Sequence, residues 1–164
     1  RVPINPYGQT KLDDEHLFEK YSKMGTEITG LRYFNIFGKG QTLQYAGVIT
    51  KFLDRIKHQK APIIFGKGQQ IRDFIHVEDV AMANILAMEN EKTNFLLNIG
   101  TGESITILEL AEMILEISKL DLKPVFDAPL EGDIEKSQAD ITLAKELLKW
   151  KPGKKLSDWL SEIV

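Results

Sequence analysis

The sequence predicts an α/β protein with a largely parallel sheet. Two observations carry this: short runs rich in β-branched and aromatic residues alternate with segments of helical period, and glycine or proline punctuates the junctions between them. Asn5 is placed to cap a first helix with Pro6 at its first position, where a missing N–H costs nothing, and Leu17, Phe18, Tyr21 and Met24 supply one apolar side before Gly25 ends it. Thr26 to Phe37 reads as a buried strand entering the loop Gly38-Lys39-Gly40. Val48, Ile49, Phe52 and Ile56 mark the apolar face of a second helix, and Pro62 then admits a short strand, Ile63-Ile64-Phe65, stopped by Gly66-Lys67-Gly68.

Ile71 to Val77 alternates as a further strand, and Glu78-Asp79 put acid at the start of a helix carrying Val80, Ala83, Ile85, Leu86 and Met88. Phe95 to Ile99 is a short apolar strand and Gly100-Thr101-Gly102 a turn. Ile107, Leu110, Ala111, Ile114, Leu115 and Ile117 line the core side of a strong helix. Val125-Phe126 reads as a short strand and residues 127–139 as a loop. Asp140 or Thr142 caps a helix ending near Trp150, and Pro152-Gly153 breaks the chain before a last helix from Leu156.

Composition narrows the function classes. With 164 residues, 43% hydrophobic and 27% charged, the chain can bury a core without a disulfide or metal staple. A net charge of −3 argues against nucleic acid or an anionic membrane as main partner, and no apolar stretch is long enough to span a bilayer. The absence of cysteine removes thiolate metal sites and thiol nucleophiles and fits a reducing, cytoplasmic setting. His16, His58 and His76 are scattered and form no helical metal pair. The sequence opens Arg1-Val2-Pro3 without an initiator methionine, which reads as a fragment or a trimmed product.

Tyr7 and Lys11 stand four apart, on one face of the first helix. An unperturbed tyrosine, with a pKa of about 10, is a poor base at neutral pH, and a neighbouring cation favours its phenolate. That is the chemistry of proton transfer coupled to hydride transfer; the plainer alternative is a surface pair. Arg72, on a strand beside a glycine loop, suits a two-pronged grip on a diphosphate, or else a structural salt bridge with a neighbouring acid. Neither glycine loop matches a phosphate-binding fingerprint, and there is no serine-hydrolase elbow.

Taken in order, Pro6-Tyr7-Gly8-Gln9-Thr10-Lys11, Leu31-Arg32-Tyr33-Phe34-Asn35-Ile36-Phe37-Gly38, the run from Gln70 to Ala81, Asn98-Ile99-Gly100-Thr101-Gly102, and Gly132-Asp133 followed by Ala139-Asp140-Ile141 form a connected pattern. It resembles the C-terminal half of nucleotide-sugar epimerases and dehydratases of the extended short-chain dehydrogenase/reductase family, over essentially the whole chain. The resemblance implies the C-terminal part of a Rossmann-type parallel sheet, with residues 1–37 and 80–104 completing the NAD-binding domain and residues 38–79 and 105–164 forming a smaller mixed α/β lobe for the nucleotide sugar. It implies NAD as cofactor, Tyr7 as catalytic base, and Lys11 as the residue that binds the nicotinamide ribose and tunes Tyr7. Tyr33 and the backbone of Phe34 would face the nicotinamide. Asn35 would reach the sugar or its phosphate, Gly47, Val48, Ile63, Ile64, Phe65 and Ile107 would line the nucleotide pocket, Arg72 and Phe74 would lie at the diphosphate, and Asp133 would contact the ribose. One departure stands out: where family members commonly carry an arginine three positions before this aspartate, the sequence has Leu130.

Within the family the pattern looks most like the 4-epimerases acting on UDP-hexoses, with dTDP-glucose 4,6-dehydratases, an ADP-heptose epimerase or a non-catalytic nucleotide-sugar-binding module as alternatives. The resemblance further implies a homodimer when full length, with the Tyr7 helix a candidate contributor. The chain alone is expected to be inactive and to bind NAD poorly, since the glycine fingerprint and a catalytic Ser or Thr would lie before Arg1.

Overall fold

The computed structural model describes Pro3, residues 5–41 and residues 47–164; Arg1, Val2, Ile4 and residues 42–46 lie outside the described residues. Six helices and nine short strands alternate among the described residues. Helix α1 (Pro6–Lys23) starts at Asn5, whose side chain accepts the Gly8 N–H at 2.8 Å, with proline in the first turn as the sequence predicts. No residue of α1 is buried. Its expected apolar side is open: Leu17, Tyr21 and Met24 are all exposed.

The expected strand from Thr26 to Phe37 is two strands. β1 (Thr29–Tyr33) runs parallel to β6 (Phe95–Ile99), and β2 (Asn35–Phe37) runs parallel to β5 (Phe74–His76). The exchange of partners takes one residue, since the Phe34 N–H bonds to the Ile99 carbonyl at 3.0 Å and the Asn35 N–H to the Asp73 carbonyl at 3.0 Å. The predicted strand from Ile71 to Val77 divides in the same way. β4 (Ile71–Arg72) pairs antiparallel with β7 (Ile105–Thr106) and parallel with β9 (Lys136–Ser137), and the chain then crosses at Asp73 into β5. Strand β9 falls inside the stretch expected to be a loop. β3 (Ile63–Phe65) pairs parallel with β8 (Val125–Asp127).

Two apolar cores result. One gathers Phe37, α2 (Val48–Lys57) through Ile49, Phe52 and Ile56, α4 (Ile107–Ser118) through Leu110, Ala111 and Ile114, and Leu160 of α6 (Leu156–Ile163). The spacing of these residues, at three and four, is the helical period that the sequence shows. Thr106 and Glu109 close a capping box at the start of α4, and its hydrogen bonds hold the Glu109 carboxyl below the usual glutamate range. The second core joins Leu97 and Ile99 of β6, Val80 and Ala83 of α3 (Val77–Glu89), Ile75, Ala139, Ile141, Trp150, and Ala144 and Leu148 of α5 (Thr142–Leu148). His76 is buried, caps α3 by accepting the Glu78 N–H, and packs edge-on against Phe37. Among the described residues no group of side chains could hold a metal ion, and no helix is long and apolar enough to cross a membrane.

Candidate active site

Helix α1 presents Tyr7 and Lys11 one turn apart, with the Lys11 Nζ 5.7 Å from the centre of the Tyr7 ring. The phenol is 72% exposed. Lys11 also reaches Asp14 at 3.0 Å; this bond and the carboxylate's charge, with a smaller contribution from Tyr7, raise the lysine pKa above its ordinary value, so the ammonium stays charged through the neutral range. The helix is tied to the sheet by a forked ion pair in which Arg32 on β1 donates through Nε and Nη2 to the two oxygens of Glu15, the second contact at 2.9 Å. At Gly30 the strand leaves room for Leu96 and Phe18, where any side chain would collide with Leu96.

Tyr7 and Lys11 open onto a hollow of about 910 Å³ that is also bordered by Tyr33, Phe34, Asn35 and Ile134. Strand alternation divides these residues. Arg32 points to α1, so its neighbour Tyr33 projects to the other face of the sheet, where its hydroxyl donates to Asn84 Oδ1 on α3 at 2.8 Å. The Tyr33 hydroxyl is therefore engaged with α3. Asn35 is held by its carboxamide, which donates to the Asp73 carbonyl at 3.1 Å.

A second hollow, about 380 Å³, is lined by Phe65, Lys67, Gln70, Leu130, Asp133 and Ile134 among others. Ile134 belongs to both hollows, so they share a border. At that border Arg72 donates from Nη2 to Asp133 Oδ1 at 2.5 Å, and from Nη1 to the carbonyls of Ile134 at 2.6 Å and Ile71 at 2.8 Å. Gln70 takes the other Asp133 oxygen at 3.2 Å and the Phe65 carbonyl at 2.9 Å. The diphosphate arginine and ribose aspartate that the resemblance implies are thus bonded to each other, which is also the salt bridge that the plainer reading of Arg72 expects.

The structure does not gather every expected residue. Ile64, Phe74 and Ile107 are buried in the first core, and Val48 packs against it. Phe74 and Arg72 border a separate depression of about 290 Å³ beside Thr101 and Pro152. Gly47 caps α2 by backbone alone, and Ile63 is half-buried on β3; neither lines the two hollows. Sequence reasoning missed Gln70, Glu15 and Ile134, whose parts depend on partners 17 to 63 residues away. It also missed Asp73, although an acid in the middle of an apolar strand was a legible sign of a buried, bonded carboxylate.

The sequence profile of the NAD dependent epimerase/dehydratase family matches residues 2–100. In structure the chain is similar to the UDP-glucose 4-epimerase of Thermotoga maritima, solved with UDP-glucose, with a TM-score of 0.92 and 40% identity over 98% of this chain and 52% of that one. It is also similar to the UDP-glucuronic acid 4-epimerase of Bacillus cereus, solved with UDP-glucuronic acid and NAD, with a TM-score of 0.89 and 33% identity over 97% of this chain and 51% of that one. A Methanocaldococcus jannaschii protein provisionally named as a UDP-glucose 4-epimerase is 38% identical over 99% of this chain and 53% of its own length. Curated relatives at 29% identity include both a UDP-glucuronate 4-epimerase and UDP-sugar-acid decarboxylases. The chain spans about half the length of the curated relatives it matches. The α/β fold with parallel strand pairs is that of the corresponding half of these Rossmann-type enzymes. On the family match and these likenesses together, the chain belongs to the NAD-dependent epimerase/dehydratase family.

Proposed function

We propose that the protein containing this chain is a nucleotide-sugar 4-epimerase that inverts C4 of a UDP-hexose. The observation that supports this best is the neighbourhood of the two hollows: an exposed phenol beside an ammonium opens one, Asp133, bonded to the Arg72 guanidinium behind it, lines the other, and Ile134 lines both. A sugar with a nucleotide diphosphate attached has this bipartite chemistry.

The residues present fit the nicotinamide end of NAD, since the Tyr7 phenol is free to face a ligand and Lys11 beside it carries a fixed positive charge. When bound, NAD supplies a reversible acceptor for the hydrogen at C4. Tyr7 takes the proton of the 4-hydroxyl and later returns it, and Lys11 sets its charge against the negative charge the Tyr7 oxygen holds between those events. Asn35, fixed by Asp73, contacts the sugar or its phosphate. Arg72 meets the diphosphate, Asp133 the ribose and Phe65 the base. Inversion needs a sugar that turns while its nucleotide stays anchored, and here the anchors lie on residues 38–79 and 105–164, apart from the Tyr7 pair on residues 1–37. The same reading gives a cytoplasmic homodimer in which the open side of α1, with Leu17, Tyr21 and Met24, is a candidate contact.

The decarboxylases among the relatives favour one second reading, another reaction begun by the same oxidation on the same scaffold. Incubating the full-length protein with UDP-glucose, UDP-N-acetylglucosamine, UDP-glucuronic acid and dTDP-glucose, and reading the products by NMR, separates inversion at C4 from loss of water or carbon dioxide. In the active protein Tyr7→Phe is expected to lower kcat by about 10²–10⁴-fold with UDP affinity retained, because it removes the base and leaves the anchors. Turnover that survives this change removes Tyr7 from the role.

A further inference from the structure

We propose that Asp73 is a positioning residue for the nucleotide end of the site; this rests on the reading of Arg72 and Asp133 given above. Asp73 is fully buried, and its carboxylate is met by dipoles alone in the contacts seen: Oδ1 accepts the Thr101 N–H at 2.8 Å and the Thr101 hydroxyl at 2.7 Å, while Oδ2 accepts the N–H groups of Gly102 at 2.9 Å and Ala139 at 3.1 Å. Four donors converge on one carboxylate from two separate stretches of chain. Its backbone adds to the second stretch, the N–H bonding to the Ser137 carbonyl at 2.9 Å, and serves a third, the carbonyl receiving both the backbone N–H and the side-chain amide of Asn35.

What these bonds hold is the segment that carries Asp133. From Val125 to Lys136 every residue is exposed, and Ala139 is the first buried residue after it. A stretch with so little packing takes its position from its tethers. Besides the pairing of β8 with β3, its tethers are Asp133 on Arg72 and Gln70, the Ile134 carbonyl on Arg72, the Ile71 N–H on the Glu135 carbonyl, the Asp73 N–H on the Ser137 carbonyl, and the Ala139 N–H on the Asp73 carboxylate. Several of these bonds are made by Asp73 or its neighbour Arg72, and the Asp73 carboxylate is buried where water cannot replace it. Replacing it by an amide puts an NH₂ against N–H donors, so the bonds to one oxygen are lost, the Ala139 end shifts, and Asp133 with Arg72 moves out of register for a bound nucleotide.

The test uses UDP as probe, titrated calorimetrically into the full-length protein and its variants well below their melting temperatures, with kcat and KM measured alongside. Asp73→Asn is expected to weaken UDP binding about tenfold and to raise KM with kcat nearly kept, and Thr101→Val, which removes one donor and keeps the fold, to weaken it about threefold. If Asp73→Asn does not fold, Thr101→Val decides. A purely structural Asp73 would lower the melting temperature yet leave the affinity of the folded variants unchanged, and that result overturns the proposal while leaving the nucleotide-sugar reading intact. Wild-type protein that does not bind UDP overturns both.

Discussion

Helices α1 and α4 show opposite ways of holding a helix in place. Helix α4 buries five residues, Ile107, Leu110, Ala111, Ile114 and Leu115, and is closed at its start by a reciprocal cap. Helix α1 is half as long again, buries none, and is held by a forked ion pair and the close approach at Gly30. Yet α1 carries Tyr7 and Lys11. The groups proposed for proton transfer therefore ride on a helix with no buried residue, while Arg72 and Phe65, proposed for nucleotide anchoring, ride on strands beside a dense core. One site is built from two supports of unequal strength.

Substitutions should expose that inequality. The largest loss is expected from Ile114→Ala, which empties a fully buried position of α4 and should cost about 2–5 kcal/mol in denaturant unfolding. Next comes Gly100→Ala: a Cβ there would stand 2.6 Å from the Ala139 Cβ and 2.9 Å from Asp73 Oδ2, an overpacking expected to cost about 1–3 kcal/mol and to lower UDP affinity together with stability. Glu15→Gln should act on α1 alone, weakening its attachment by about 1–2 kcal/mol. Amide hydrogen exchange would then speed up across residues 6–23 and hold steady in α4; faster exchange in both helices would contradict the separation.

The smallest effect concerns the α4 cap and has a definite pH sign. Glu109 has a lowered pKa in the folded protein, so its contribution is complete above the ordinary glutamate value of 4.5 and fades as pH falls through the folded-state value. Thr106→Ala should cost about 1 kcal/mol at neutral pH and less at about pH 3, measured as the difference in Tm from wild type at each pH.

The sequence makes α4 plain and α1 only half plain, for the same reason. Period and caps are local properties, so the apolar stripe of α4 and the Asn5-Pro6 start of α1 can be read residue by residue. Whether Leu17, Tyr21 and Met24 are covered depends on what packs there, and no spacing reveals that. The crossings at Phe34 and Asp73 are hidden likewise, because no glycine or proline stands at either and each is made by a change of partner across the sheet. Strand β9 has two residues and a polar sequence, and exists because β4 offers it an edge. In the site, spacing puts Tyr7 and Lys11 on one helix face, and only the resemblance of the whole motif pattern implies their roles. The Arg72–Asp133 bond joins residues 61 apart and came into view only with the fold.

The two crossings sit side by side, Asn35 bonded to Asp73, so the backbone passes between sheets at a doubly riveted seam. A hinge needs residues at liberty to change their backbone torsions, and those at the seam are already engaged in ladder bonds. Breathing that admits or releases a ligand is thereby expected away from the seam, in the exposed turn from Ala128 to Gly132. The two cores are joined at adjacent points, like boards nailed twice through the same joint.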